Sequence, residues 1–224
     1  MKLLLQAFAS AVFGIAFFAM LLFVPAGTLN YWHAWVFIAV FMVATLVPSL
    51  YLAVRDPAAL QRRMKAGPGA ETRTSEKLIM SGIITAVVAV LVISALDHRF
   101  GWSHVPTVLV VAGEILVAVG LVAAQWVVIE NSYAAATITV ETGQTVVTTG
   151  MYGIVRHPMY AGTLVMMLGT PLALGSFWAL IAVVAALPLL AARIVDEESV
   201  LRQQLAGYPE YTKQVGYRLL PYVW

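Results

Sequence analysis

Residues 3–24 read LLLQAFASAVFGIAFFAMLLFV, a stretch without a single charged side chain. An α-helix rises about 1.5 Å per residue, so about 20 such residues cross the hydrocarbon core of a bilayer. With no water there to satisfy backbone amides, a single span has to be helical. The run is longer than the apolar region of a secretory leader and is followed by others like it, so it reads as a first span rather than a removed leader. The whole chain has the same character: 61% of its residues are hydrophobic and 11% charged, with a mean hydropathy of +0.88. A soluble domain is only about half apolar. The expected fold class is an all-α integral membrane protein, a bundle of about five to six transmembrane helices with a small cytosolic β-hairpin and a C-terminal cytosolic or interfacial segment.

Outward from that first span, Pro25 to Asn30 forms a turn, and Tyr31, Trp32, His33 and Trp35 open a second span to about Val54 as an interfacial aromatic belt. Pro48 is expected to kink it. Residues 55–77 concentrate Arg55, Arg62, Arg63, Lys65, Arg73 and Lys77 around a Gly67-Pro68-Gly69 break. They read as a solvated loop, with a partly amphipathic surface helix as the alternative. A third span is expected over Leu78–Leu96, a polar connection over Asp97–His104, and a fourth span from Pro106 to Ile129. The chain accordingly divides into an N-terminal four-helix region, 1–129, and a region 130–224 that carries the site.

In the second region, Thr137–Val140 and Thr145–Thr148 are β-branched runs around a glycine-containing turn, the pattern of a hairpin. Beyond Pro158 the apolar sequence is broken at Pro171 and Gly175-Ser176, giving a short fifth helix and a long sixth with Ser176 as its N-cap. The sixth runs without a break into Arg193, Asp196, Glu197 and Glu198, where it leaves the bilayer. The tail, Tyr208 to Trp224, is aromatic and basic enough to lie at the interface. Placing Lys2, both charged loops and the tail inside puts 12 of the 13 Lys and Arg in the cytosol and leaves only Arg99 outside. Both termini are then cytosolic, in the plasma (inner) membrane if the chain is bacterial.

Several chemistries are excluded or disfavoured. The chain has no cysteine, which removes disulfides, thiolate catalysis and cysteine-ligated metals. His33, His98, His104 and His157 show no metal-ligand spacing, so no metal is expected. A net charge of +2 gives no reason to expect nucleic acid.

Two features can carry function. Glu114 and Gln125, eleven residues apart on the fourth span, share a helix face, and ionisable groups at membrane depth are usually functional or paired. The plain reading is a protonated Glu114 hydrogen-bonded to a neighbouring helix; Gly113 and Gly120 would let that helix come close. The second feature is Arg156-His157-Pro158-Met159-Tyr160. Proline suits the first position of a helix, which makes His157 the N-cap and leaves the amides of Met159, Tyr160 and Ala161 facing outward. With Arg156 alongside, that end suits a carboxylate or phosphate. The alternative is an interfacial helix entry with Arg156 and His157 facing lipid headgroups.

Residues 120–224 resemble the isoprenylcysteine carboxyl methyltransferases and the wider group of membrane methyltransferases, which includes phospholipid N-methyltransferases and methanethiol S-methyltransferases. The matching residues are Asn131, Thr149-Gly150 with Tyr152, Arg156-His157-Pro158 with Tyr160 and Gly162, Arg193 with Asp196-Glu197-Glu198, Tyr208 with Tyr211, Arg218 and Pro221. The first 110 residues match in hydropathy alone. The chain differs by one residue in the spacing from Leu201 to Tyr208, and it carries Ser132 where the family has phenylalanine.

The resemblance implies S-adenosylmethionine held without a dinucleotide-binding fold, and no Gly-x-Gly-x-x-Gly motif is present. It implies cofactor contacts at Tyr152, Arg156, His157, Pro158, Tyr160, Glu197 and Tyr208, and catalytic roles for Arg193 and Glu198. Methyl transfer needs alignment and exclusion of water more than acid–base chemistry. On this reading Arg193 orients an anionic acceptor, a carboxylate or thiolate on a lipophilic or lipid-linked molecule, and Glu198 positions Arg193 or accepts from the ribose. Glu197 could instead form a plain helix pair with Arg193. Glu114, Gln125 and Asn131 are the candidate substrate contacts. The alternatives are a phospholipid N-methyltransferase of the ethanolamine type, a small transporter using Glu114 and Gln125, and a structural membrane scaffold.

Overall fold

The computed structural model describes residues 2–71 and 73–224, with side chains from Gln6 onward. The side chain of Lys2, one of the charges used for orientation, and those of Leu3 to Leu5 in the first expected span lie outside that set, as does Thr72 in the charged loop. The elements are α1 (Lys2–Ala26), α2 (Trp32–Arg55), α3 (Pro57–Met64), α4 (Thr74–Phe100), α5 (Thr107–Glu130), α6 (Pro158–Ala173), α7 (Ala179–Gln204) and α8 (Tyr208–Gln214). Five of them, α1, α2, α4, α5 and α7, are long and apolar enough to cross a membrane, and α6 is the expected short helix. The protein is an all-α integral membrane bundle. Large apolar side chains such as Phe13, Val47, Leu78 and Val108 point outward from it, as they must where lipid replaces water.

Inside a bilayer helices gain little from burying apolar surface against one another, so close packing has to hold them together. The most intimate pair is α5 with α6. A Cβ on Gly120 would lie 2.5 Å from the carbonyl oxygen of Gly162, and one on Gly169 would lie 2.7 Å from that of Gly113. The antiparallel pair thus meets backbone to backbone at two levels, which explains the seven-residue spacing of Gly113 and Gly120. Helix α4 packs between α1 and α7, and α2 against α1 and α5. Phe18, Leu22, Phe37, Leu91 and Leu174 fill the centre.

Two ends result. At one, α4 continues past the expected boundary at Leu96, because Asp97 is buried and bonded rather than part of a loop. Its carboxylate accepts from the amide and hydroxyl of Ser103, each at 2.7 Å, and from the hydroxyl of Ser176. Ser176 in turn accepts from the amide of Ala179 at 3.1 Å, a cap-like bond two residues before the N-cap position of α7, which is Trp178 rather than Ser176 as expected. Helix α7 then passes through Pro188 without interruption to Gln204.

The other end gathers residues 55–77, 130–157 and the tail, and here one expectation, the hairpin, is corrected. The charged loop contains α3, whose N-cap Asp56 accepts from the amide of Ala59 at 3.0 Å. The hairpin is absent among the described residues: Gln144 bonds back to Glu141 at 3.1 Å to make the turn, but no ladder follows. An isolated two-stranded hairpin is marginal, and these side chains have other partners. Val140 and Val146 pack on Leu201, Leu205, Tyr208 and Tyr211, so residues 131–149 form a strap across the ends of α7 and α8. Finally, the tail folds onto this end, burying Tyr208, Tyr211, Val215 and Leu219.

Candidate functional site

His157 is the N-cap of α6 and Pro158 its first residue. The amide of Ala161 donates to the His157 carbonyl at 3.1 Å, the first regular bond of the helix, so the expectation of three outward amides is reduced to two, Met159 and Tyr160. The backbone of the preceding pair is held by the tail: the amides of Arg156 and His157 donate to Tyr217 and Arg218, each at 2.9 Å.

Glu198 sits behind this helix start, buried among cations. Arg156 Nε lies 2.9 Å from its Oε1 and Arg218 Nε 3.1 Å from its Oε2, with His157 Nε2 at 3.4 Å and Arg202 at 3.6 Å. The Arg156 contact is an ion pair off the N–H axis. Arg156 therefore spends its charge on Glu198 rather than leaving it free for an anion.

Arg193 lies on a different side of α7. Its Nη2 donates to Glu71 Oε1 at 2.6 Å and to the Ala136 carbonyl at 3.3 Å, and its Nε reaches the Tyr160 hydroxyl at 3.4 Å. That hydroxyl donates to Glu197 Oε2 at 2.6 Å. Glu71, Arg193, Tyr160 and Glu197 thus form one chain of contacts. The expected pairing of Glu198 with Arg193 is absent, and so is the Glu197–Arg193 helix pair. For Glu198 the reason is helical: at about 100° per residue, positions five apart stand about 140° apart around the axis; Glu197, four apart, shares a face with Arg193 but accepts from the Tyr160 hydroxyl instead.

In front of these groups, the strap, the start of α6 and the tail enclose a cleft. All seven residues that the resemblance assigned to the cofactor, Tyr152, Arg156, His157, Pro158, Tyr160, Glu197 and Tyr208, line it, together with Asn131. Asn131 Nδ2 donates to the Tyr152 hydroxyl at 3.1 Å, and the Tyr211 hydroxyl donates to the Tyr152 carbonyl at 2.7 Å. Burial pushes Tyr152 up to about 12, against the pull of the Asn131 amide, and burial raises Tyr208 and Tyr211 as well. These phenols stay protonated near neutral pH and serve as hydrogen-bond donors, not bases. The Tyr208 hydroxyl is buried without a partner, an orphan of the kind that ligands satisfy. The strap is tied to α3 by Arg62, which makes a two-pronged pair with Glu141 at 2.8 and 2.9 Å.

Arg193 and Glu198 stand behind the cleft's lining. Glu114 and Gln125 do not line this cleft. Glu114 is buried with neither carboxylate oxygen bonded, so the expected hydrogen bond to a neighbouring helix is missing. It lies seventeen residues before Asn131, about 25 Å along α5, too far to share the site. Two residues near the site were not singled out from the sequence, Glu71 and Arg63. The only sequence signal for Glu71 was the Gly67-Pro68-Gly69 turn just before it.

Residues 108–206 match the family model described as phospholipid methyltransferase. The chain is also 36% identical over 93 residues to the Delta(14)-sterol reductase TM7SF2 of Mus musculus, a match that covers 39% of this chain and 22% of the mouse protein. The family segment contains Asn131, Tyr152, the Arg156–Tyr160 helix start, Arg193, Glu197 and Glu198; Glu71 and Tyr208 lie outside it. The segment running from α5 through α7, which supplies much of the cleft's wall, is therefore the part of the chain that is similar to the phospholipid methyltransferase family.

Proposed function

We propose that this cleft binds S-adenosylmethionine and that the protein transfers the methyl group to a lipophilic acceptor arriving from the bilayer. The observation that carries this reading is the convergence on one cleft of all seven residues assigned by resemblance, with an unpartnered Tyr208 hydroxyl among them. The donor set fits the group: the free amides of Met159 and Tyr160 suit its carboxylate, and Asn131, Glu197 and Tyr208 suit its hydroxyls and amines. When bound, the cofactor supplies a methyl group activated by a sulfonium for in-line displacement. The chain's own part is to hold donor and acceptor in line and to keep water out, which the strap over the cleft serves.

The ground for preferring a carboxylate or thiol acceptor was a free Arg193 fork. Glu71 neutralises that guanidinium through Nη2 alone, leaving Nη1 buried without a partner, and Arg193 reaches Tyr160, which bonds Glu197, so Arg193 holds these side chains in place instead of offering a free cation to an acceptor. A lipid amine, in keeping with the family's description, is the alternative acceptor. The name of the mouse relative adds a further alternative, a reductase, which would need a hydride donor in the same cleft.

Calorimetric titration of the detergent-purified chain separates these readings. S-adenosylhomocysteine is expected to bind, and His157→Ala and Tyr160→Ala to weaken it at least tenfold without unfolding the protein. Binding of a reduced nicotinamide dinucleotide, with none of S-adenosylhomocysteine, would replace the reading by a reductase.

The cofactor is cytosolic, so the proposal includes a topology: both termini and the cleft face the cytosol, as the Lys and Arg distribution indicates. A single cysteine at Gly69, a position with open space around it, should resist an impermeant maleimide in intact cells, while one at exposed Trp102 should react. The opposite pattern inverts the topology.

A further inference from the structure

Helix α3 lies between the cleft and a groove that opens between α1 and α2. Ala11 and Gly14 from α1, Thr45 and Ser49 from α2, and Leu60 and Met64 from α3 are among the residues that line this groove. Of its three hydroxyls, two are turned back onto their own helix, Thr45 to the Phe41 carbonyl at 2.8 Å and Ser49 to that of Thr45 at 2.7 Å, while the third, Ser10, lies exposed on α1. Apart from Ser10, the wall left to an occupant is therefore apolar. One packed cluster joins the wall of the groove to that of the cleft, because Leu60 packs with Leu52, Val128 and Met159, and Met159 lines the cleft.

Arg63 stands at this junction, on the turn of α3 between Leu60 and Met64. Its Nη1 touches Met159 Sδ at 3.2 Å. Among the described residues it has no carboxylate partner, whereas Arg62 is taken by Glu141, Arg156 by Glu198 and Arg193 by Glu71. Arg63 is half-buried by surface area, yet its guanidinium is desolvated enough for burial to push its pKa down. Even so, a guanidinium remains a cation at neutral pH. A half-buried cation with a thioether and the phenols of Tyr152 and Tyr160 for neighbours, and no carboxylate, calls for an anion, and a guanidinium takes a carboxylate or phosphate in the same two-pronged way.

We propose that the α1–α2 groove and Arg63 together form the acceptor's docking site: the groove takes an apolar chain, and Arg63 takes an anionic head group beside Met159. This deepens the proposed methyltransferase reading and rests on it for the identity of the occupant as the acceptor. Arg63 is then a specificity-determining residue, and it supplies the anion recognition that Arg193, held by Glu71, does not.

The test uses three sixteen-carbon amphiphiles that differ only at the head: hexadecanoate, hexadecyl phosphate and hexadecanol. Each is titrated into the full chain in uncharged detergent, with and without S-adenosylhomocysteine. Both anions are expected to bind at least tenfold more tightly than the alcohol. Arg63→Ala should erase that preference, and Arg63→Lys should keep part of it. Gly14→Leu, which extends into open space in the groove, should weaken all three alike by several-fold. A tighter phosphate points to a phospholipid head and a tighter carboxylate to an acid terminus, and both support the site. Equal binding of alcohol and anions by the native chain overturns it, as does a preference that survives Arg63→Ala. Amphiphile binding requires no methyl transfer, so a chain that fails to bind S-adenosylhomocysteine would refute the enzyme reading while leaving this result interpretable.

Discussion

Replacing Glu71 by alanine is expected to destabilise the protein by about 3–5 kcal/mol, the usual cost of leaving one member of a buried ion pair without its partner. Arg193 is 2% and Glu71 4% exposed, and the Ala136 carbonyl and the Tyr160 hydroxyl cannot neutralise a stranded guanidinium. Thermal unfolding in detergent reads this directly. Removing both charges tests the interpretation, because a buried pair is commonly replaced by apolar residues of similar size at little net cost. Glu71→Met with Arg193→Met should therefore recover most of the lost stability. Under the proposed function it should not recover turnover, since Tyr160 and Glu197 would lose the group that holds them. Arg193→Lys should fall between, keeping the charge and losing the fork. A Glu71→Ala protein that melts with the native one would show that the pair contributes nothing.

The other large effect is expected at the α5–α6 contact. Gly120→Leu should prevent assembly of the bundle, and even Gly120→Ala should cost about 1–3 kcal/mol, in the range of overpacking. The alanine Cβ would stand 2.5 Å from both the Gly162 oxygen and the Met166 nitrogen. Those are backbone atoms that cannot move aside as a flexible side chain can. Gly14→Ala is the matched control on α1, where a Cβ meets nothing within 4 Å, and it should be neutral or slightly stabilising, since alanine is the better helix former. Equal melting temperatures for Gly120→Ala and Gly14→Ala would mean that the two helices separate more easily than their geometry implies.

The bundle itself was legible in the sequence because it follows from local properties. A run such as Leu3–Val24 has to be helical in lipid whatever its neighbours are, and Pro158 or Ser176 acts on the amides within a turn of it. Part of the cleft's lining was legible for a related reason: His157, Pro158 and Tyr160 stand within four consecutive residues at one helix start, and the family's motif keeps its members in order. Even there, what they imply about the cofactor stands as a proposal.

What the sequence could not determine are relations between residues far apart in the chain. Glu198 was matched with Arg193 through the family resemblance, but helical rotation turns them to different sides of α7. The true partner of Arg193, Glu71, comes from a loop that composition marked as solvated. The hairpin pattern at 137–148 was real as a local preference, yet the ends of α7 and α8 offered Val140 and Val146 more contact than a second strand could. Burial also decided which of several similar arginines remain free, and no property of Arg62 or Arg63 in the sequence tells them apart. Local physics sets which segments are helices and where they begin. The pairing of charges is settled only when the folded chain brings distant carboxylates and guanidinium groups within 3 Å and shuts water out between them, as at Glu71 and Arg193.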